Sequence, residues 1–179
     1  MKLLVATANL HKVGEIQQIL QDYPIELLDL RSFAELEPPE ETGLTYLENA
    51  LLKARYYGRH TGLPSLSDDS GLEVDALDGA PGLHSARFGG SQMPHTEKVQ
   101  LLLQHLAKIE GAPRTARFRC CSTIFDPRNG KTWSYEATCE GTIAPQPRGE
   151  QGFGYDPIFL VHAKDRTMAE LSAGEKHQV

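Results

Sequence analysis

Lys2 to Thr7 is an almost unbroken apolar run, the pattern of a strand covered on both faces of a parallel or mixed sheet. The period then changes. Val13, Ile16, Ile19 and Leu20 recur at helical spacing, and Asn9 stands where the helix needs an N-cap. The chain therefore opens as strand, tight turn and helix. A second helix is announced by Thr45 and Glu48, which form a capping box, with Leu47, Ala50, Leu51 and Ala54 as its apolar stripe. Asn49 and Lys53 fall on a different, polar face. A short apolar run from Leu63 to Leu66 leads into Ser67-Asp68-Asp69-Ser70-Gly71, where Ser70-Gly71 predicts a sharp turn. Val99, Leu102, Leu103 and Leu106 mark a third helix that runs to about Ile109 and is ended by the break Glu110-Gly111-Ala112-Pro113.

Beyond that break the period becomes two. Ala116, Phe118 and Cys120 alternate with Arg117, Arg119 and Cys121, and Trp133, Tyr135, Ala137 and Cys139 alternate with Ser134, Glu136, Thr138 and Glu140. Both segments read as half-buried strands, joined by a hairpin turn at Asp126-Pro127-Arg128-Asn129-Gly130. A β-α-β-like first half followed by a long hairpin predicts an α/β protein. Its expected form is a mixed extended sheet with helices, with two lobes flanking a cleft where a ligand would bind.

There is no repeat, low-complexity stretch or long linker, so residues 1–179 are expected to form one domain; at 40% hydrophobic it can bury its own core. No apolar run approaches the roughly 18 residues of a membrane span, and no basic start leads into an apolar segment of a signal peptide. A net charge of −6 argues against binding nucleic acid, which needs a basic surface. The three cysteines, Cys120, Cys121 and Cys139, lack metal spacing and read as reduced thiols of a cytoplasmic protein.

The candidate chemistry lies at four places. Asp68 and Asp69 are adjacent anions, tolerated in water or around a hard cation; Mg²⁺ takes one or two carboxylates and leaves its other positions to water and phosphates. Lys12 sits in the first turn of a helix, where the macrodipole disfavours a cation unless an anion is bound. Thr7, Asn9, the exposed amides and the Lys12 ammonium can form such a phosphate cradle. Glu40 and Glu41 precede the second helix, either favouring its N-terminus or reaching a metal. In Gly152-Phe153-Gly154-Tyr155-Asp156, glycines let backbone approach a ligand, and Phe153 or Tyr155 offers a flat face to a base; the alternative is a turn whose aromatics fill the core.

Taken in order, these segments resemble the inosine/xanthosine triphosphate pyrophosphatase family. Thr7-Ala8-Asn9-Leu10-His11-Lys12 is similar to its TxNxxK phosphate motif, Asp68-Asp69-Ser70-Gly71-Leu72 to its DDSGL motif and Gly152-Phe153-Gly154-Tyr155-Asp156-Pro157 to its GFGYDP motif. Ala80-Pro81-Gly82-Leu83-His84-Ser85-Ala86-Arg87-Phe88 resembles its APGxxSARF segment. The resemblance implies Mg²⁺-dependent hydrolysis of non-standard purine nucleoside triphosphates (ITP, dITP, XTP) to the monophosphate and pyrophosphate by a cytoplasmic homodimer that binds neither nucleic acid nor membrane. It further implies Asp69 as base, with Asp68 and Glu41, or Glu40 in reserve, supporting Mg²⁺ and Asp69 a possible further ligand. Lys12 and Lys53 would hold phosphates with Thr7, Asn9 and Ser70, the loop's Ala8, Leu10 and His11 lying alongside, and Lys53 is grouped with Asp69 as catalytic. Phe153, Gly154, Tyr155, Asp156 and Lys176 would contact the nucleoside. Family members continue past Glu175-Lys176 into a base-reading Ser-His-Arg motif, whereas this sequence stops at His177-Gln178-Val179, so a tail is expected beyond it and weak discrimination of ITP from ATP is expected without one. Two other readings are a house-cleaning hydrolase for other bases and a nucleotide-binding protein without turnover.

Overall fold

The computed structural model describes residues 1–111, 113–162 and 164–179; Ala112, in the expected break after the third helix, lies outside the described residues. Among the described residues six strands form one sheet in the order β2-β1-β3-β4-β5-β6. The apolar opening run is β1, Lys2–Val5, and it pairs in parallel with β2, Glu26–Asp29, in the register Lys2 to Glu26 and Val5 to Asp29. On its other side lies β3, Ser65–Val74, also parallel, with Leu4 opposite Ser65. The predicted hairpin is β4, Thr115–Asp126, and β5, Lys131–Ile143; β6, Phe159–Val161, pairs antiparallel with β5. The helices are α1, Leu10–Leu20, α2, Tyr46–Thr61, α3, His95–Ala107, and the short α4, Ala173–Lys176. This is the expected mixed α/β architecture.

The chain divides into two compact units, residues 1–69 with 120–137 and residues 70–119 with 138–179. Strands β3, β4 and β5 therefore each contribute residues to both. In the first unit Leu4, Ala6 and Tyr57 are buried, with Leu28, Leu30, Phe33 and Leu63 packed against them. In the second, Leu72, Val74, Leu102, Ile143, Phe159 and Leu171 belong to a larger buried cluster that also takes in Tyr155.

The caps form as the sequence requires. The Asn9 side chain accepts from the His11 amide, and Thr45 and Glu48 complete their capping box. Several faces differ from expectation. No turn occurs at Ser70-Gly71: Asp68 to Gly71 lie inside the ten-residue β3. On α2 the buried positions are Tyr46, Asn49, Ala50, Ala54, Tyr57 and Gly58, whereas Leu47 is exposed, because the helix turns its small residues toward β3. Ile19 of α1 is exposed as well. On β5, Trp133 and Tyr135 are 54% and 76% exposed. Aromatic residues favour a strand because they fit a pleated surface, and that preference does not require a covering layer.

The β4–β5 turn is held by one carboxylate. Asp126 accepts from the Arg128 amide at 3.0 Å, from Arg128 Nε at 2.9 Å and Nη2 at 2.8 Å, and from Asn129 Nδ2 at 3.1 Å. Chiefly through the Arg128 hydrogen bond, its pKa drops from 3.8 to about 2. A depressed carboxyl adds stability above its unfolded value and loses it as pH falls through the folded one. Asp126→Asn should therefore lower the urea midpoint at neutral pH, with the gap to the unmodified protein closing as pH falls from 3.8 toward about 2. A gap independent of pH would show that shape, not charge, holds the turn.

Candidate active site

The turn from β1 to α1 supplies the first cationic group. Thr7 Oγ1 accepts from the Asn9 amide at 3.2 Å and Asn9 Oδ1 accepts from the His11 amide at 3.0 Å, so both side chains shape the loop itself. Ala8, Leu10 and His11 are exposed along it. Lys12 reaches from the first turn of α1 to Asp68 Oδ2 on β3, with which it forms an ion pair. A depression of about 280 Å³ touches the loop through Thr7, Ala8 and Leu10, but its polar wall, Asp29 and Arg31, is self-paired and it reaches none of the carboxylates named above. The chemistry lies instead on the lysine side of the loop.

Strand geometry separates the two adjacent aspartates, because successive side chains leave a strand on opposite faces. Asp68 meets Lys12, and Cys120 Sγ lies 4.0 Å from the same oxygen. Asp68 Oδ1 is buried without a hydrogen-bond partner among the described residues. Asp69 faces α2, where Asn49 Nδ2 donates to Oδ2 at 3.2 Å and Lys53 Nζ lies 3.3 Å from Oδ1. The same ammonium binds Glu41 Oε1 at 2.8 Å. Three of the predicted residues, Asp69, Lys53 and Glu41, thus converge within one unit. Glu40, one residue earlier, is exposed and makes none of these contacts.

Burial raises the Asp69 carboxyl above the usual aspartate value; Lys53 and Asn49 recover part of the rise, and Glu41 adds to it. Burial alone would lower Lys53, but Asp69, Glu41 and Asp68 together hold it above the ordinary lysine value. The ammonium therefore stays charged beside a carboxylate whose basicity has been increased.

Does this arrangement fit a divalent cation? Among the described residues no three His, Cys, Asp or Glu side chains gather as a preformed cage. Mg²⁺ does not need one, since it is usually held by one or two carboxylates plus water and phosphate oxygens. Glu41 and Asp69 already converge on one cation, the Lys53 ammonium, while Asp68 stands on the opposite strand face with Lys12. This donor set fits a hard ion completed by a substrate.

In the other unit, Ser70 is half-buried in β3. The glycine-rich turn there is built around Asp156. Gly152 has φ +75°, and a Cβ at that position would stand 2.1 Å from Asp156 Oδ2, so only glycine fits. That oxygen accepts from the Phe153 amide at 2.9 Å and from Lys176 Nζ at 2.7 Å. The ammonium lies 4.6 Å from the Phe153 ring centroid. Phe153, Asp156 and Lys176 are brought together, with Gly154 at φ +63° completing the turn. Tyr155 is not available as a flat face for a base: its ring is 4% exposed within the core cluster, its hydroxyl donates to Ser85 O at 3.2 Å, and burial raises its pKa.

Some participants are invisible to motif reading. Asn49 is 2% exposed and bridges Gly43 N–H, at 2.8 Å, to Asp69; the available signal was a lone amide one helical turn before Lys53. Ser85 accepts from the Leu72 amide and donates to Gly82 O, and Lys98 is buried against Ala86 O, so the APGLHSARF segment is braced through its backbone. Arg87 donates to His84 Nδ1 at 3.1 Å.

A model of the Ham1 family matches residues 3–179. The chain belongs to that family. It is 45% identical over 178 residues to a dITP/XTP pyrophosphatase of Geobacter sulfurreducens, covering 99% of this chain and 89% of that protein. It is 47% identical over 176 residues to one of Thermus thermophilus, covering 98% and 84%. Among solved structures, a HAM1 protein from Coxiella burnetii superposes with a TM-score of 0.90 at 39% identity, covering 100% of this chain and 91% of that one.

Replacing Asn49 by alanine would leave the Gly43 amide and an Asp69 oxygen short of a partner in a dry setting. The expected loss is about 1–3 kcal/mol of folding stability, the usual penalty for a buried group left unmatched. Urea unfolding measures it; a change below about 0.5 kcal/mol, the scatter of ordinary surface substitutions, would mean that water replaces the amide.

Proposed function

We propose that this protein hydrolyses non-standard purine nucleoside triphosphates, ITP, dITP and XTP, to the nucleoside monophosphate and pyrophosphate, using Mg²⁺. The convergence of Asp69, Lys53 and Glu41 carries the reading, supported by relatives described as dITP/XTP pyrophosphatases. Asp69 is the general base. Its raised pKa brings it nearer the operating pH, where a base accepts a proton more effectively. A water positioned by Asp69 gives up its proton there as its oxygen bonds to phosphorus and the α–β anhydride bond breaks. Lys53, kept charged by Asp69 and Glu41, and Lys12, held by Asp68, neutralise phosphate oxygens and the leaving pyrophosphate. Glu41 and Asp69 would hold Mg²⁺, which when bound supplies charge stabilisation to the phosphates, while Asp68, on the opposite face of β3, holds Lys12. Phe153 stacks on the base, and Lys176 and Asp156 hold polar groups beside it.

The protein acts in the cytoplasm as a homodimer. Three free thiols fit a reducing compartment, and the exposed Trp133 and Tyr135 offer an apolar surface to a second copy. Among the described residues no helix is long and apolar enough to cross a membrane.

Pyrophosphate release measured with Mg²⁺ over ITP, dITP, XTP, ATP, GTP and pyrimidine triphosphates tests the reading. Preference for the first three supports it; uniform turnover points to a broader house-cleaning hydrolase, and none at all to a binding protein. EDTA should abolish activity, and full activity in chelator would remove the metal from the scheme. Asp69→Asn should lower kcat by at least about 10²-fold, the usual scale for a lost base. Unchanged kcat in a folded variant would move the base elsewhere. Phe153→Ala should weaken binding of every purine triphosphate similarly, by about 1–3 kcal/mol, because a π face does not distinguish a 6-oxo from a 6-amino group. A loss confined to one base would assign the ring a role in edge recognition.

A further inference from the structure

Two serines of β3 donate to the backbone of α2. Ser65 Oγ bonds Ala54 O and Ser67 Oγ bonds Ala50 O, and the two residues are 0% and 1% exposed. Interior helix carbonyls already serve the helix ladder, so these bonds use their second lone pairs and add nothing the helix itself requires. The approach is possible because the facing positions are small. Ala50, Ala54 and Gly58 recur every four residues, and a Cβ on Gly58 would meet Ser65 Oγ at 2.8 Å and Phe125 Cδ1 at 2.7 Å.

Ser65 and Ser67 share their strand face with Asp69, by the two-residue period of a strand. Two strand residues advance about 6.6–6.8 Å and four helix residues about 6 Å, so the two lattices stay in step along the seam. As the strand number rises from Ser65 to Ser67, the helix number falls from Ala54 to Ala50, and the next strand position on that face is Asp69. Helical side chains lean toward the helix N-terminus, which carries Asn49 and Lys53 toward that carboxylate. Alanine and glycine at the seam leave the close approach itself little to interlock with, and a slip of one residue, about 1.5 Å, would take Lys53 away from Asp69.

We propose that Ser65 and Ser67 are positioning residues whose hydroxyls index α2 against β3, so that Lys53 and Asn49 meet Asp69. The proposal rests on the pyrophosphatase reading for its kinetic consequence and on geometry alone for its structural one.

The test uses Ser65→Ala, Ser67→Ala and the double variant in the full chain. With dITP and Mg²⁺, Ser67→Ala should lower kcat about 10- to 100-fold, the range expected for a misplacement of about 1 Å. KM should stay within about 2-fold, and Ser65→Ala, farther from Asp69, should lose less. A merely structural role would lower Tm and leave kcat unchanged wherever the variant is folded. The second readout is coupling: Lys53→Met should cost much less in the Ser67→Ala background than in the unmodified protein, since misplacement has already removed part of its contribution. Additive effects, or full kcat in folded Ser67→Ala, would overturn the proposal. If the double variant does not fold, the two single variants and the coupling cycle still decide. If the unmodified protein releases no pyrophosphate from any triphosphate, the pyrophosphatase reading fails, and exchange of the Asn49 side-chain amide, followed by NMR, decides the positioning separately. Protection lost in Ser67→Ala supports it; protection retained overturns it.

Discussion

Lys53 is the group around which the first unit's chemistry is arranged. An ammonium in a largely dry setting is stable only if opposite charge meets it there, and its side chain is 16% exposed. Glu41, from the segment before α2, and Asp69, from β3, supply that charge, and Asn49 satisfies the second oxygen of Asp69. Removing any one leaves an uncompensated polar group. The cluster therefore sets the position of the 41–45 segment, of helix α2 and of the middle of β3 at once.

The same constraint explains why adjacent aspartates do different work. Placed in a turn, Asp68 and Asp69 would share one cation. Placed in a strand, they leave on opposite faces and meet separate lysines, Lys12 from α1 and Lys53 from α2. Each carboxylate has its own counter-ion, so the strand keeps two anions in consecutive positions without direct repulsion. Asp68 retains one bare oxygen, and burial raises the Asp69 carboxyl.

Local signals were legible where one residue type is physically required. Asn9, Thr45 with Glu48, and the Asp126-to-Gly130 turn satisfy backbone groups within a few residues, so their roles can be read without the fold. The mixed sheet followed from the change between apolar runs and alternation. The faces were harder to read. Leu47 looks like core by hydropathy but α2 buries Asn49 instead, because close approach to β3 demands small neighbours and the amide is paired on both sides. Trp133 and Tyr135 have strand propensity without a covering layer. Glu40 and Glu41 are indistinguishable by composition, and only the path of the chain selects Glu41. Tyr155 and Phe153, two residues apart, were equal candidates for a base until the fold put one in the core.

The Phe153 turn shows what a ligand has to exchange. In the isolated chain Lys176 rests over the ring and is anchored by Asp156, which also accepts from the Phe153 amide. A cation–π contact of this kind contributes about 0.5–1 kcal/mol where solvent reaches it, and a base–aromatic stack about 1–3 kcal/mol. A base that takes the same face displaces the ammonium and gains only the difference. A base on the opposite face keeps it, and the cation then withdraws electron density from the ring that the base covers. In both cases Asp156 keeps Lys176 beside the Phe153 ring, and an ammonium only donates, so it can bond an oxygen and has nothing to accept from an amino group. Whatever group lies against that ring thus meets a donor fixed by Asp156, which favours acceptors over donors.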